Sequence, residues 1–510
     1  MEKMNMERTH KGLSPWQLTM MALGTVIGGS FFLGSAVAIH AAGPSIIISY
    51  VLGGVLVYFI LFALSEMTVA NPDSGSFRTF AAQAFGPGMG FVVGWVYWTG
   101  MVLAMSSEAT AVSILLRNWF PGISLSLLGS IIIAGVTLLN LLGADKLSKL
   151  ESGLAAVKLL AIVSFIILGI LLIAGVIPGR TSVGAGELAR ESLAPGGLRG
   201  IAGSMLIVMF AYAGFEIIGL AASETDNPRR TVPRAIMYTV LSLVAFYIIS
   251  VAILLPLIPT ALLNESVSPM VAALDRWGIT WAGTAINLVL ITAILSTMLA
   301  AMFGIGRMMR SLADEGHAPK WLKDSRNVPY RGILFSGLSM LAGLGAGMLL
   351  PRVYLFLVSS GGFALLFTYA VIMATHIRFR SRNGCPPEGK CQMPGFPYTS
   401  WIALLSIVII IFSMPFIPGQ GTGLMAGLIM IAAYSVIYMA VKTTSDRGRG
   451  RAIHAGSGSG LKAGLSTEVS KELTGDIKSG DNGSGDNGNG SDGNNESGGK
   501  KEEENTGDRK

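Results

Sequence analysis

The chain has 510 residues, of which 51% are hydrophobic and only 13% charged, and its formal net charge is +7. Soluble domains carry about 25% charged residues, so this composition excludes an ordinary soluble fold and fits an all-α integral membrane protein. The apolar runs are about twice the length a tilted strand needs, which excludes a β-barrel, and the positive charge reflects where basic residues sit along loops rather than a nucleic-acid partner.

Residues 1–14 form a short charged N-terminus. The apolar run that follows is too long for a cleavable signal and ends in no small-residue cleavage site. That first run, from near Pro15 to near Ala42, is long enough to cross a bilayer. Its middle reads Gly28-Gly29-Ser30. Each glycine inside a helix costs roughly 1 kcal/mol relative to alanine, and a freed backbone amide in lipid finds no water. Two readings stay open at this point: a seam of close helix packing, or a broken helix that lines a cavity and turns its N–H groups toward an anion.

Twelve spans follow one another, at about 16–41, 44–66, 88–116, 124–143, 152–177, 199–221, 235–259, 280–309, 333–350, 353–377, 400–418 and 423–442. With the N-terminus inside, the inner connections hold nineteen lysines and arginines, Arg78 and Arg380 among them; the outer ones hold six: Arg117, Arg180, Arg190, Arg199, Arg276 and Arg352. This bias places both termini in the cytoplasm. The loop after span ten carries Cys385 and Cys391, which have no zinc spacing and read as two reduced thiols. From Thr443 to Lys510 the chain is rich in Gly, Ser, Asn, Asp, Glu and Lys, and is expected to be a disordered cytoplasmic tail.

The sixth span carries Phe210-Ala211-Tyr212-Ala213-Gly214-Phe215-Glu216: a glycine at midspan, then a carboxylate within the membrane. A five-helix repeat would begin again here. Interrupted segments at corresponding places in two halves point to a transporter binding site, which favours the cavity reading of Gly28-Gly29-Ser30. Half-helix N-termini offer donors to a carboxylate and half-helix C-termini offer carbonyls to an ammonium group, so the cavity suits a zwitterion. Phe31, Phe210, Tyr212 and Phe215 are candidates for its apolar wall, or for plain packing.

Intramembrane charges are costly, by about 3 kcal/mol on insertion scales, and so read as functional. Glu108, Lys158 and Glu216 lie within spans; Glu66 and Glu224 lie at their cytoplasmic ends. Lys158 either extends toward the membrane surface or sheds a proton during a transport cycle. Glu216 is the leading proton-responsive carboxylate or gate, Glu108 the next, and Glu224 a gate or a structural cap. The five histidines are scattered, no nucleophile–base or metal spacing occurs, and no nucleotide-binding G-x-x-x-x-G-K-[ST] is present. Neither an enzyme nor a nucleotide-driven pump is expected, and no cofactor or metal.

Several motifs together carry a resemblance. They are G-T-V-I-G-G-S-F-F-L-G from Gly24, A-G-P-S from Ala42, and L-S-E-M-T-V-A-N-P-D-S-G-S-F ending at Phe77. F-A-Y-A-G-F-E then runs through A-S-E-T-D-N-P-R-R-T-V-P-R-A-I, from Phe210 to Ile236, and G-R-M-M-R-S-L-A-D-E-G-H-A-P-K starts at Gly306. From about Leu13 to Lys442 the chain resembles bacterial amino acid permeases of the amino acid–polyamine–organocation superfamily, amino acid transporter branch. The resemblance implies a LeuT-like 5+5 inverted repeat, with repeats at about 15–177 and 199–377 and two further helices at 400–442, in a bacterial cell membrane. It implies proton symport of an amino acid by alternating access; the alternatives are an amino acid sensor or an exchanger without net proton-coupled uptake. Carried over, the backbone of Val26, Ile27, Gly28, Gly29 and Ser30 would face the substrate carboxylate, and Phe210, Ala211, Tyr212 and Gly214 the ammonium side. A lysine at the place of Lys158 stands where sodium-coupled relatives hold sodium. The chain departs from the family in having Gly28-Gly29-Ser30 for the usual Gly-Thr-Gly or Gly-Ser-Gly, and Leu299-Ala300 for Asn-Ser.

Overall fold

The computed structural model describes residues 14–456, apart from 72–74, 180, 217, 219–224, 226, 325–327 and 386–392. The chain forms two compact units, Met1–Val441 and Lys442–Lys510. Every regular element among the described residues is helical.

The first crossing is built in pieces. Helix α1 (Pro15–Val26) starts at a capping box, in which the Ser14 hydroxyl accepts from Gln17 N–H and the Gln17 side chain accepts from Ser14 N–H, with Pro15 in the first turn. The four-residue α2 (Gly29–Phe32) and α3 (Gly34–Ala42) complete it. A 3-10 turn at Gly43–Ser45 leads into α4 (Ile46–Ala70). Then come α5 (Phe77–Phe85), α6 (Pro87–Leu116), α7 (Leu125–Asn140), α8 (Ala144–Ala174) and α9 (Gly197–Ala211). The remainder is α10 (Pro228–Leu254), α11 (Pro269–Arg276), α12 (Thr280–Asp314), α13 (Tyr330–Met348), α14 (Val353–Asn383), α15 (Tyr398–Ser413) and α16 (Gly421–Gly456).

Among the described residues nine helical runs are long and apolar enough to cross a membrane, the α3–α4 stretch counting as one; α7 and α9 are apolar but shorter. Their outward faces carry exposed apolar side chains, such as Ile131, Leu160, Leu241 and Ile429, as a lipid-facing surface requires. The interior is a continuous apolar core around α6 and α14, which are more than two-thirds buried and pack along each other. Helix α3 packs on α9, α4 on α10, and α12 against both α6 and α8. Both interrupted segments are thereby buried side by side.

Three features differ from the sequence expectation or add to it. The amphipathic helices α5 and α11 fall between the expected spans, being too short and too mixed to read as crossings. The last helix continues to Gly456, beyond the expected start of the tail at Thr443; residues 457–510 lie outside the described set. Cys385 is disulfide-bonded rather than a reduced thiol; Cys391 lies outside the described residues.

Candidate functional site

The chain leaves helical geometry at both glycine-marked positions. At the first, Ile27 (φ −75°, ψ 102°) and Gly28 (φ −140°, ψ −162°) are extended. Ile27 N–H still bonds to Leu23 O at 3.2 Å, and the next helical bonds, from Phe31 and Phe32, begin again at Gly28 O. The break frees carbonyls at the end of α1 and amides at the start of α2. Four of these groups find side chains. Glu108 of α6 lies across the α2 end: its Oε2 accepts from Gly29 N at 2.7 Å and its Oε1 from Ser30 N at 3.2 Å. Lys158 of α8 turns inward, fully buried, and its Nζ donates to Gly24 O at 2.5 Å and to Thr297 Oγ1 at 2.8 Å. The Thr297 hydroxyl of α12 stands 3.1 Å from Ile27 O. A buried carboxylate therefore sits on the positive end of the break and a buried ammonium on the negative end, the pairing that backbone dipoles favour. Space at this point is tight: a Cβ on Gly29 would stand 2.6 Å from Glu108 Oε2, so any larger residue must displace that carboxylate.

The second break follows α9. Tyr212 and Ala213 close the helix with N–H bonds to Val208 O and Phe210 O, and Gly214 then adopts φ +105°, a left-handed geometry that side-chain-bearing residues rarely take. A Cβ there would lie 3.3 Å from Thr25 O, so the two breaks touch. Glu216 folds back onto the gap, accepting from Gly214 N at 2.8 Å and from the Tyr369 hydroxyl of α14. Tyr247 donates to Ala211 O at 2.9 Å and Tyr212 to Tyr50 O at 3.0 Å. Aromatic rings pack beside the breaks: Phe31 stacks on Tyr247 with centroids 4.1 Å apart, and Phe215 on Tyr369 at 5.1 Å.

The sequence-derived residues therefore divide. Val26 to Ser30, Glu108 and Lys158 gather at the first break; Phe210, Ala211, Tyr212, Gly214 and Glu216 gather at the second. Glu224 lies outside the described residues. Lys158 does not extend to the membrane surface. The Gly29 and Ser30 amides are not bare, as a reading of span one alone implies: Glu108, distant in sequence, already holds them. Thr297, Tyr247, Tyr369 and Tyr354 were not among the candidates. Thr297 stands two positions before Leu299-Ala300 and supplies the hydroxyl that those residues lack.

At the end of the bundle near the α4, α12 and α14 C-termini, ion pairs tie elements together. Arg78 of α5, almost fully buried, pairs with Glu315 and donates to Ser311 Oγ at 3.0 Å. Glu66 of α4 accepts from Arg380 at 2.6 Å and from Met393 N at 3.1 Å, with His376 Nε2 3.6 Å away. Beside the first pair, burial holds the His317 imidazole below its ordinary pKa, Glu315 opposing and Arg78 assisting this shift. Among the described residues no group of three or more His, Cys, Asp or Glu side chains could hold a metal ion.

A broken first helix and a second helix that ends at a left-handed glycine beside it, with charged side chains on their freed backbone groups, define a multi-pass membrane transporter. The chain belongs to the amino acid permease family, whose model matches residues 17–449; it is a transporter and not an enzyme. It is 33% identical over 433 residues to the gamma-aminobutyric acid permease of Bacillus subtilis (strain 168), covering 83% of this chain and 92% of that protein. To the gamma-aminobutyric acid permease of Escherichia coli (strain K12) it is 33% identical over 426 residues, 81% and 91% of the two chains. To the aromatic amino acid transport protein AroP of Escherichia coli O157:H7 it is 32% identical over 420 residues, 81% and 92% of the two.

Proposed function

We propose that the chain imports an amino acid together with protons, by alternating access, across a bacterial cell membrane with both termini in the cytoplasm. Twelve spans in a 5+5 inverted repeat (about 15–177 and 199–377) with two further helices (400–442) would carry the site. The substrate carboxylate meets the backbone of Val26 to Ser30. The ammonium side meets Phe210, Ala211, Tyr212 and Gly214, at the C-terminal end of a half-helix, the end whose dipole suits a cation. Relatives named for γ-aminobutyric acid and for aromatic amino acids place the substrate within amino acids without narrowing it further.

The observation that carries the reading is Glu108 on the Gly29 and Ser30 amides. Two ionised carboxylates cannot share one pair of donors in a low-dielectric site, because like charges there repel strongly. A substrate carboxylate takes these amides once Glu108 is protonated or has moved aside, and this links substrate binding to proton uptake. Lys158, bonded to Gly24 O and Thr297, releases its proton as the break rearranges; Glu216 answers at the second break, and Glu224 acts at the cytoplasmic end. Uptake of labelled amino acids into proteoliposomes, with and without an inward proton gradient, tests this: concentrative uptake is expected only with the gradient. Binding with no net uptake would instead favour a sensor.

A further inference from the structure

At the end of the bundle opposite the Arg78–Glu315 pair, a cleft of about 440 Å³ opens between the C-terminus of α6, the segment before α11 and the N-terminus of α14. Its polar lining includes Arg117, Asn118, Glu265 and Arg352, and Tyr354 also lines it. The volume lies within the roughly 300–1,000 Å³ of small-molecule sites. The two arginines are exposed, so their guanidinium groups meet solvent first. Glu265 is partly buried, and its Oε2 has no hydrogen-bond partner among the described residues. Burial raises the Glu265 carboxyl above its ordinary pKa, with Arg352 partly opposing the shift. An unsatisfied buried acceptor wants a donor, and two guanidinium groups beside it want an anion.

Tyr354 connects the cleft to the first break. It is buried, and its hydroxyl stands 3.5 Å from Gly29 O, on the residue whose amide holds Glu108. One aromatic side chain thus lies between an open, charged cleft and the backbone gap in the core.

We propose that this cleft is an outer loading site, which holds an amino acid zwitterion by its carboxylate at Arg117 and Arg352 and by its ammonium group at Glu265 before it passes Tyr354. The inference rests on the reading of the chain as an amino acid importer. Guanidinium–carboxylate hydrogen bonds are charge-assisted and stronger than neutral ones, so the two arginines lower the KM for a carboxylate-bearing ligand entering from this side. This contribution is screened by salt, because both arginines face water.

The test uses the full-length protein in proteoliposomes, oriented so that transport is measured from each face separately. The probe is whichever of γ-aminobutyrate, L-phenylalanine and the remaining protein amino acids the wild type takes up fastest. R117Q/R352Q removes charge-assisted hydrogen bonds and is expected to raise KM from the cleft side about tenfold or more, with maximal rate within about twofold and KM from the opposite face unchanged. R117K/R352K should keep most of the wild-type KM, and E265Q should raise it on the cleft side. In the wild type, raising NaCl from about 50 to about 500 mM should raise KM on the cleft side alone; this measurement stands even where the double variant does not fold. A KM insensitive to salt and to R352Q alone, or one that rises equally from both faces, overturns the loading site. Absence of uptake of any amino acid by the wild type would instead overturn the transport reading on which it rests.

Discussion

Replacing Lys158 with methionine keeps the length and apolar bulk of the side chain and removes its charge. The bonds to Gly24 O at 2.5 Å and to Thr297 Oγ1 at 2.8 Å disappear. Hydrogen bonds to charged groups contribute about 1.5–3 kcal/mol each, so the gross loss is about 3–6 kcal/mol. Relief from burying an ammonium group offsets part of this. A net shift of about 2 kcal/mol remains, roughly thirtyfold in the balance between two arrangements of the first break. Gly24 O then lacks its lysine donor, and the α1 end must reorganise to recover one. If Lys158 is also the group that releases a proton in each cycle, the variant loses its response to the proton gradient altogether. The assay is counterflow and net uptake in the same proteoliposomes. K158M should exchange labelled for unlabelled substrate at a measurable rate while accumulation driven by the pH gradient is abolished. Accumulation equal to wild type would refute the role assigned to Lys158.

Other expectations follow from the same geometry. Gly29→Ala sets a Cβ 2.6 Å from Glu108 Oε2, so it should displace that carboxylate and reduce uptake at least tenfold, while Ala36→Gly, on α3 away from the break, should leave uptake near wild type. Gly214→Ala must hold φ near +105°, a strain on the order of 1–3 kcal/mol; a drop in thermal stability together with weaker substrate binding is expected, and an unaltered melting temperature would count against a rigid second break. Tyr369→Phe removes the hydroxyl donor to Glu216 and should shift the pH profile of uptake without abolishing exchange, whereas an unchanged profile would mean that Glu216 takes no part in coupling. Burial holds the pKa of His317 below its ordinary value, so as pH falls from 7 through 6.5 the unfolded chain binds the proton first and the folded state loses stability. H317Q should lack this loss between about pH 6.5 and 5 in thermal-unfolding scans, and parallel curves for the two proteins would contradict it.

Both breaks were legible because a glycine at midspan is unfavourable in a helix and a charge at midspan is unfavourable in lipid, and each cost is visible in local sequence. Gly28-Gly29-Ser30 and Gly214 with Glu216 are such places, and both are interrupted. What local sequence does not carry is the partner. Glu108 reaches Gly29 from 79 residues away, Tyr369 reaches Glu216 from 153, and Thr297 reaches Ile27 from 270; only the packing of α6, α12 and α14 against the broken helices brings them there. The same holds for Arg78. Its sequence neighbours mark an inner loop, yet its side chain is buried against Glu315. Thr297 passed unnoticed because a lone threonine hydroxyl in an apolar helix usually bonds back to its own helix, as Thr68 does to Leu64 O, and the tyrosines because an aromatic ring in an apolar helix reads as packing. The cleft at Arg117 and Arg352 was equally hidden, since its arginines read only as sparse loop charges.

The most direct test of the account is the competition of a carboxylate-bearing substrate with Glu108 for the Gly29 and Ser30 amides. Substrate affinity of purified protein, measured across pH for wild type and for E108Q, addresses it in one experiment. The account predicts that wild-type affinity weakens steeply as pH rises and Glu108 becomes ionised, and that E108Q, with no carboxylate to displace, binds with an affinity nearly independent of pH. Parallel pH profiles for the two proteins would contradict it.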